Sequence, residues 1–218
     1  MKVGILSNIT HPLLYFFIQN ILKFGTKDIV VILDKKEQSK KDLLIFKERT
    51  NNYFKKYSKI NLKKYFDLKK IDFFYVENHN NKDCINLIKK KNISCLINAG
   101  TPRKISNNLI KSVKNGVVNI HPGSLPKYRG KTCVEWAIYN NDKIANTAHF
   151  MDKNYDSGPI IKKEYCFFNK NDNYQNIRIK VYKAGCILAG KVLFLINKNN
   201  IQPKNLKKQN KRQSNFYD

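Results

Sequence analysis

The chain has 218 residues and a formal net charge of +26. This length suits one α/β domain with a core large enough to fold unaided. The charge would suit an acidic partner such as nucleic acid or a phosphorylated substrate. However, only five of the 42 basic residues are arginine, and lysine, asparagine and isoleucine are abundant, as in an A/T-rich coding sequence. Compositional drift is therefore favoured over selected charge.

The five cysteines are irregularly spaced, which argues against a disulfide framework and against a zinc site. Apolar runs near the N-terminus are interrupted by Asn8, Thr10, His11 and Pro12, and no small-residue cleavage site follows. No run approaches the roughly 18 apolar residues that a membrane span needs. These features predict a soluble, cytoplasmic protein without a membrane partner.

The first half of the chain predicts a β-α-β opening. Residues 2–6 and 28–34 have the composition of buried strands, and residues 11–24 between them have helical spacing. This order predicts a parallel sheet. Residues 36–70 are lysine-rich and broadly helical, and residues 71–78 predict another strand.

The middle of the chain continues the alternation. A short helix is predicted at 81–92 and a buried strand at 93–100. A second short helix is predicted at 107–116, with Gly116 as its C-cap. The strand at 117–120 follows directly.

The last elements complete one domain. A helix is predicted at 132–140, strands at 146–152 and 158–168, and a long helix at about 174–197. The sequence therefore predicts an α/β fold, a single Rossmann-like domain with a mostly parallel central sheet flanked by helices. It spans residues 1–201, and residues 202–218 form a basic C-terminal tail.

Polar groups gather after two of these strands. Asn119 and His121 open the loop "NIHPGSLPKYRG", and Asp152 and Asp156 lie between two later strands. Ligands of open α/β sheets bind at the carboxyl ends of the strands. An asparagine amide and a histidine can stabilise an oxyanion, and an aspartate can stabilise the charged imidazole. From spacing alone, a histidine in a loop after a strand is more often structural than catalytic.

The run "NIHPGSLPKYRG", then "VEWAI" and "TAHFMDKNYDSGPI", resembles the folate-dependent formyltransferase family over residues 93–161. The resemblance implies transfer of a formyl group from 10-formyltetrahydrofolate to an amine, without a metal. It implies that Asn119 binds the formyl oxygen and that His121 assists at the same centre. Asp156 would hold His121 in its working state and relay the amine proton.

The resemblance also implies where folate binds. The family grips the pteridine partly through backbone that follows an Ala-Gly pair, which ends here at Gly100. The backbone of Arg103, Lys104 and Ile105 would form the pteridine rim. The loop that contains Asp152 would close the other side.

The acceptor side is less defined. Tyr128 could stack on an acceptor base or sugar, and Arg129 could hold an acceptor phosphate or fix its own loop. His149 matches a strand histidine of the family and could act directly or only pack. Many family members read Ser-Leu where this chain reads Gly123 and Ser124, which implies a roomier or more flexible lip. Cys133 and Trp136 are predicted to be buried.

The acceptor itself is predicted by the loop. A "PKYRG" ending resembles the loop of sugar-nucleotide N-formyltransferases, which favours an amino sugar carried on a nucleotide. Glycinamide ribonucleotide and methionyl-tRNA are the alternatives, although formyltransferases for methionyl-tRNA carry an extra domain for which this chain has no room. A non-catalytic basic nucleic-acid-binding protein is the alternative of another class, and the scattered lysines argue against it. A homodimer through the tail and the final helix is left open.

Overall fold

The computed structural model describes residues 1–57, 59–210 and 215–217. Its centre is a seven-stranded sheet, and two further strands form a small parallel pair. The strands in chain order are β1 Val3–Asn8, β2 Ile29–Asp34, β3 Asp72–Val76, β4 Cys95–Asn98, β5 Val117–His121, β6 Tyr128–Gly130, β7 Ala145–Phe150, β8 Ile160–Tyr165 and β9 Asn215–Tyr217.

Helices connect these strands and cover the sheet. The α-helices are α1 Leu14–Lys23, α2 Lys40–Arg49, α3 Leu62–Lys69, α4 Lys82–Lys90, α5 Asn107–Lys111, α6 Cys133–Tyr139 and α7 Tyr174–Asn199. Two short 3₁₀ segments lie at Tyr53–Tyr57 and Pro203–Asn205. Within the described ranges, none of the helices combines the length and the apolar character that crossing a bilayer requires.

The strand order of the large sheet is β3-β2-β1-β4-β5-β7-β8. The first five strands are parallel, and β7 and β8 run antiparallel to their neighbours. All residues of β1 and β2 are buried, as apolar strands in a parallel sheet covered on both faces should be. The predicted α/β class with a mostly parallel sheet is confirmed.

Alternate residues of the strands build two cores. Ile5 and Val31 face α1 and α7, and the apolar side chains of these two helices complete that core. Leu6 and Ile32 face the opposite side, where α4 and α5 pack. The period of two along each strand therefore divides the apolar residues between the two helical layers.

Two sequence-based predictions are wrong. Helix α5 ends at Lys111 with Ser112 as its cap, and Gly116, at φ +74°, belongs to the turn that enters β5. Trp136 is 39% exposed and stacks on Tyr217, because Val134 and Ala137 occupy the buried face of α6.

The prediction for Cys133 is confirmed. Its side chain is buried, and burial raises the pKa of the thiol to about 12. A thiol with so high a pKa is protonated at neutral pH and is a poor nucleophile.

The described residues of the segment 202–218 contact the sheet domain. The Gln209 amide donates to the backbone oxygens of Asp156 at 3.1 Å and of Gly158 at 2.6 Å. Strand β9 pairs with β6. The boundary between residues 201 and 202 stays a prediction. Five positions of the predicted basic tail, 211–214 and 218, lie outside the described residues.

Candidate active site

Three polar side chains form one row across β4, β5 and β7. Asn98 is paired with Asn119, and Asn119 is paired with His149. Residues that are directly paired in neighbouring strands point to the same face of a sheet. The row lies at the carboxyl ends of β4 and β5, where the ligands of open α/β sheets bind.

Backbone contacts fix the orientation of this row. The side-chain oxygen of Asn98 accepts from the amides of Gly100 at 3.1 Å and Thr101 at 3.0 Å. Its nitrogen therefore faces Asn119 and donates to Oδ1 at 3.0 Å. The Nδ2 group of Asn119 in turn faces His149 Nε2 at 3.2 Å. The row thus presents the Asn119 amide as a donor.

Asp156 lies between two histidines. One carboxylate oxygen is 3.4 Å from His121 Nδ1, and the other is 3.4 Å from His149 Nε2. The amide of Gly130 donates to the first of these oxygens at 3.1 Å. Asp156 has φ +49°, so the loop holds this residue in a left-handed conformation. The three groups that the sequence predicted as catalytic, Asn119, His121 and Asp156, therefore belong to one connected cluster that also contains His149.

The other nitrogen of each histidine is held by a backbone carbonyl. His121 Nε2 is 2.9 Å from the oxygen of Tyr128, and His149 Nδ1 is 2.9 Å from the oxygen of Phe150. A carbonyl can only accept, so both of these nitrogens carry hydrogen. The nitrogens that face Asp156 are then free to take up or share a proton.

Burial and charge set the protonation of the cluster. Burial alone would raise the pKa of Asp156, but the hydrogen bond with His149, the charges of both histidines and the Gly130 amide outweigh it and hold that pKa below its usual value. Burial lowers the pKa of His121, although the Asp156 carboxylate opposes this. At neutral pH the free protein therefore holds an ionised Asp156 beside a neutral His121, whereas the sequence analysis considered a protonated imidazole.

A cleft of about 310 Å³ opens over this cluster. Asn119, His149 and Asp156 line it, and His121 does not. Its two walls are the segments 101–105 and 151–156. Lys104 Nζ lies 4.6 Å from the ring centre of Tyr155, a cation–π contact that joins the two walls.

The predicted folate-binding residues line or support these walls. Arg103, Lys104, Ile105 and Asp152 line the cleft itself. Asp152 Oδ1 accepts from the amide of Asn154 at 3.0 Å and from the Ser157 hydroxyl at 2.5 Å, which fixes the second loop.

Gly100 contributes differently from the other predicted folate residues. It has φ +89°, and a Cβ atom there would lie 2.0 Å from His11 Nε2. Glycine is therefore required at this turn both by the backbone conformation and by the close approach of His11.

Asp34, at the end of β2, was missed by the sequence analysis. Its fully buried carboxylate accepts from Arg103 Nε at 2.9 Å, and Arg103 Nη2 also donates to the Glu77 carbonyl at 3.2 Å. Burial would raise the pKa of Asp34, but Arg103 and the neighbouring amides lower it overall. Asn98 was missed as well. Each is a polar residue at the carboxyl end of a buried strand, and that signal could have identified both.

Two predicted acceptor residues are not brought to the cleft. Tyr128 is buried, its ring centre lies 5.5 Å from that of Tyr217, and its hydroxyl bonds to Asp142. Arg129 is also buried and donates to Gln209 Oε1 at 3.2 Å. The contact of Arg129 corresponds to the alternative in which it fixes its own loop. The assignment of both residues to acceptor binding stays a prediction.

Gly123 has a packing role. A Cβ atom there would lie 2.4 Å from His121 Nε2 and 2.9 Å from the Tyr128 carbonyl oxygen. The glycine leaves room for the imidazole to reach that carbonyl. In the part of the chain that the structure describes, no group of three or more His, Cys, Asp or Glu side chains could hold a metal ion.

Comparisons with known families, sequences and solved structures all match formyltransferases. The family model described as Formyl transferase matches residues 17–210. A methionyl-tRNA formyltransferase from Wolbachia sp. subsp. Drosophila simulans (strain wRi) is 39% identical over 98 residues, which are 44% of this chain and 31% of that protein. The chain spans about a third of the length of the curated methionyl-tRNA formyltransferases that it matches.

Two solved structures share the fold. Glycinamide ribonucleotide transformylase 1 from Symbiobacterium toebii has a TM-score of 0.69 at 15% identity, covering 96% of this chain and 93% of that one. An N-formyltransferase from Helicobacter canadensis, solved in complex with folinic acid and dTDP-3-aminofucose, has a TM-score of 0.63 at 21% identity. That match covers 100% of this chain and 70% of the other.

Proposed function

Because this chain belongs to the formyl transferase family, we propose that it moves a formyl group from 10-formyltetrahydrofolate to a primary amine. One observation carries the proposal. Asn119, His149 and Asp156 line the same cleft and are connected by contacts of 3.2 Å and 3.4 Å. A hydrogen-bond donor and a proton acceptor are thus held at one point, as acyl transfer to an amine requires.

The cleft fits the proposed donor. Its volume of about 310 Å³ is within the usual range for small-molecule sites. Two loop segments face each other across it, and apolar Ile105 and Met151 line it together with polar groups. Such a slot suits a flat heteroaromatic ring, and the Helicobacter relative was solved with folinic acid.

The side chains of the cluster have distinct tasks in this proposal. The donor supplies a formyl carbon bound to nitrogen. When a neutral amine forms a bond to that carbon, negative charge develops on the formyl oxygen, and Asn119 Nδ2 donates to it. One such donor is commonly worth about 3–4 kcal/mol in the transition state. Asp156 receives the proton that the attacking nitrogen loses, and the proton then passes to the nitrogen that departs.

His121 and His149 support Asp156 from two sides. Each offers a nitrogen to one carboxylate oxygen at 3.4 Å, so a proton that reaches Asp156 can be shared with either ring. Both histidines are buried, but His149 lines the wall of the cleft and His121 does not. His149 therefore contacts Asp156 from the side of the cleft, and His121 contacts it from the other side.

For the acceptor we favour the amino group of a nucleotide-linked sugar. The "PKYRG" loop resembles that of sugar-nucleotide N-formyltransferases. The Helicobacter N-formyltransferase was solved with dTDP-3-aminofucose. The match to it covers 100% of this chain and 70% of that protein. A cytoplasmic location, as the sequence analysis predicted, is part of the same proposal.

Methionyl-tRNA is the second candidate acceptor. The 39% identity to the Wolbachia methionyl-tRNA formyltransferase favours it. The net charge of +26 would also suit a phosphate backbone.

A transfer assay tests the proposal. The purified protein is mixed with 10-formyltetrahydrofolate and, separately, with nucleotide-linked amino sugars, glycinamide ribonucleotide and charged initiator tRNA, and mass spectrometry detects one added formyl group. We expect transfer to a sugar nucleotide, reduced about 10²–10⁴-fold in Asp156→Asn. Transfer to tRNA alone would replace the favoured acceptor by the second candidate. No transfer to any amine, together with no binding of folinic acid, would overturn the proposed function.

A further inference from the structure

A second cavity adjoins the catalytic cluster. It has a volume of about 190 Å³ and shares Asn98 and Asn119 with the proposed donor cleft. Neither of the segments 101–105 and 151–156, which form the walls of that cleft, contributes to it. Asn119 therefore lies at the junction of two separate spaces.

Gly185, inside α7, forms part of the wall of this second cavity. Glycine destabilises a helix interior relative to alanine, so its presence in the middle of a long helix needs a reason. A Cβ atom on Gly185 would lie 3.4 Å from Asn146 Oδ1 and 3.5 Å from Ile120 Cγ2, which are ordinary contact distances. Neither close packing nor a left-handed backbone requires glycine at this position.

Gly190, in the same helix, shows the contrast. A Cβ atom there would lie 2.4 Å from the carbonyl oxygen of Asn20 in α1. The close approach of α1 and α7 explains Gly190, whereas no such contact explains Gly185. A side chain at position 185 would contact Asn146 and Ile120 and would reduce the cavity that Gly185 lines together with Asn119.

We propose that the missing side chain at Gly185 keeps the acceptor pocket open and sets the size of the amine-bearing group that the enzyme accepts. This inference rests on the proposed function. The formyl donor occupies one side of Asn119, so the attacking amine must reach the formyl carbon from another side. The cavity beside Gly185 ends at the same asparagine and provides that approach.

The lining of the cavity suits an uncharged polar ring. Asn146 Nδ2 donates to the Val181 carbonyl at 3.0 Å, which leaves its oxygen directed toward Gly185. Burial lowers the pKa of His11 to about 4, so this lining residue is neutral at pH 7. Neutral amides and an imidazole can bond to the hydroxyl groups of an amino sugar without holding its amine in the protonated form.

The next cavity along the surface has a different character. It shares His11 and Tyr182 with the pocket beside Gly185, has a volume of about 490 Å³, and contains three cationic side chains and one anionic side chain. These are Arg49, Lys131, Arg178 and Asp42. Glu135 lies 3.3 Å from Arg49 Nε and 3.7 Å from Arg178 Nη1, so these side chains together with Lys131 and Asp42 carry a net charge of +1. Lys131 and the two arginines can donate to the phosphates of a nucleotide-linked sugar whose ring enters the smaller pocket.

Substitutions of graded size test the inference. We expect Gly185→Ala to raise the KM for the acceptor about 5- to 10-fold and Gly185→Leu to lower kcat/KM for it about 100-fold, since one or a few methylene groups discriminate by such factors. The dissociation constant for folinic acid, measured by titration of protein fluorescence, should change less than about twofold in both variants, because the donor cleft is not altered. Gly185→Ala should also melt at the same temperature as the wild type or higher.

Gly190→Ala is the matched control, because the same change in the same helix meets the Asn20 carbonyl instead of a cavity. It should lower the melting temperature and leave the acceptor KM unchanged when assayed below that temperature. An unchanged acceptor KM in the Gly185 variants, with the wild type active, would overturn the inference and leave the proposed function intact. Absence of transfer by the wild type to any amine, together with no binding of folinic acid, would instead refute the proposed function. If Gly185→Leu does not fold, the alanine variant decides by the same criterion.

Discussion

Asn98 Nδ2 donates to Asn119 Oδ1 at 3.0 Å, and this contact determines which end of the Asn119 amide faces the cleft. Asn98→Asp keeps the oxygen that accepts from the backbone but replaces the donor by a second acceptor. Asn119 would then rotate to donate to the new carboxylate, and its oxygen would face the formyl group.

We therefore expect Asn98→Asp to lower kcat about 10²-fold, comparable to the loss of one oxyanion donor. Binding of folinic acid should be nearly unchanged. Steady-state kinetics of Asn98→Asp, Asn119→Ala and the double variant check this, because two residues that act through one contact give non-additive losses. Fully additive losses would show that Asn98 does not position Asn119.

The acid limb of the pH–rate profile depends on His149. Asp156 must be ionised to receive a proton, and the hydrogen bond with His149 is the strongest of the contacts that lower its pKa against the effect of burial. In His149→Ala the burial effect is no longer offset by this contact, so the pKa of Asp156 should rise and the acid limb of kcat/KM should move to higher pH. His79 lies outside the cluster, with Nε2 3.0 Å from the Ile32 carbonyl oxygen, so His79→Gln serves as the control. An acid limb at the same pH in His149→Ala and wild type would contradict the assignment.

Stability should fall on mild acidification. Burial lowers the pKa values of His11, His79 and His121, so below the unfolded pKa of about 6.5 the unfolded chain binds protons that the folded chain does not. The free energy of unfolding is then fully retained above pH 6.5 and decreases as the pH falls toward the lowered values.

Chemical denaturation at pH 7.5 and pH 5.5 should show a loss of about 1–3 kcal/mol. The carboxylates with lowered pKa, Asp34 and Asp156, contribute stability that is lost only at lower pH, below about 4. His79→Gln should reduce the pH dependence between 7.5 and 5.5. Equal stability at the two pH values would show that these histidines are not held in the neutral form.

The last described strand supports Asp156, the proposed proton acceptor. Tyr217 stacks between Tyr128 and Trp136 at 5.5 Å and 4.8 Å between ring centres, and β9 pairs with β6. Gly130 at the end of β6 donates its amide to Asp156. A Cβ atom on Gly130 would lie 2.0 Å from the carbonyl oxygen of Tyr217, so the two strands are in close contact there.

Tyr217→Ala should therefore lower the free energy of unfolding by about 1–2 kcal/mol, through the loss of two aromatic contacts. It should also lower kcat, because β6 and the Gly130 amide lose their support. The neighbouring Phe216→Ala is the control, since Phe216 is 56% exposed and should have little effect. Thermal melts and kinetics of both variants give the comparison, and equal effects of the two substitutions would contradict this role of Tyr217.

The sequence by itself determined the layered α/β fold and predicted the residues of the proposed site. Apolar runs such as Val3–Leu6 suit strands covered on both faces, and their alternation with helical segments favours a parallel sheet. An asparagine and a histidine two residues apart at a strand end form a local pattern, and so does the loop that contains Asp156. Such patterns can be recognised from the order of residues alone. They predicted as catalytic three residues, Asn119, His121 and Asp156, that the structure brings into one cluster.

Only the tertiary structure decided how those groups act together. Strand register, which depends on packing across the whole sheet, placed Asn98, Asn119 and His149 in one row. Burial, which no local pattern specifies, makes His121 neutral and removes Tyr128 from the cleft. The space beside Gly185 likewise arises between α7 and strands distant in sequence. Distances between elements that are far apart in the sequence depend on the packing of the complete core. The sequence therefore indicates which residues could react, but not their hydrogen-bond partners or the volume of the cavities beside them.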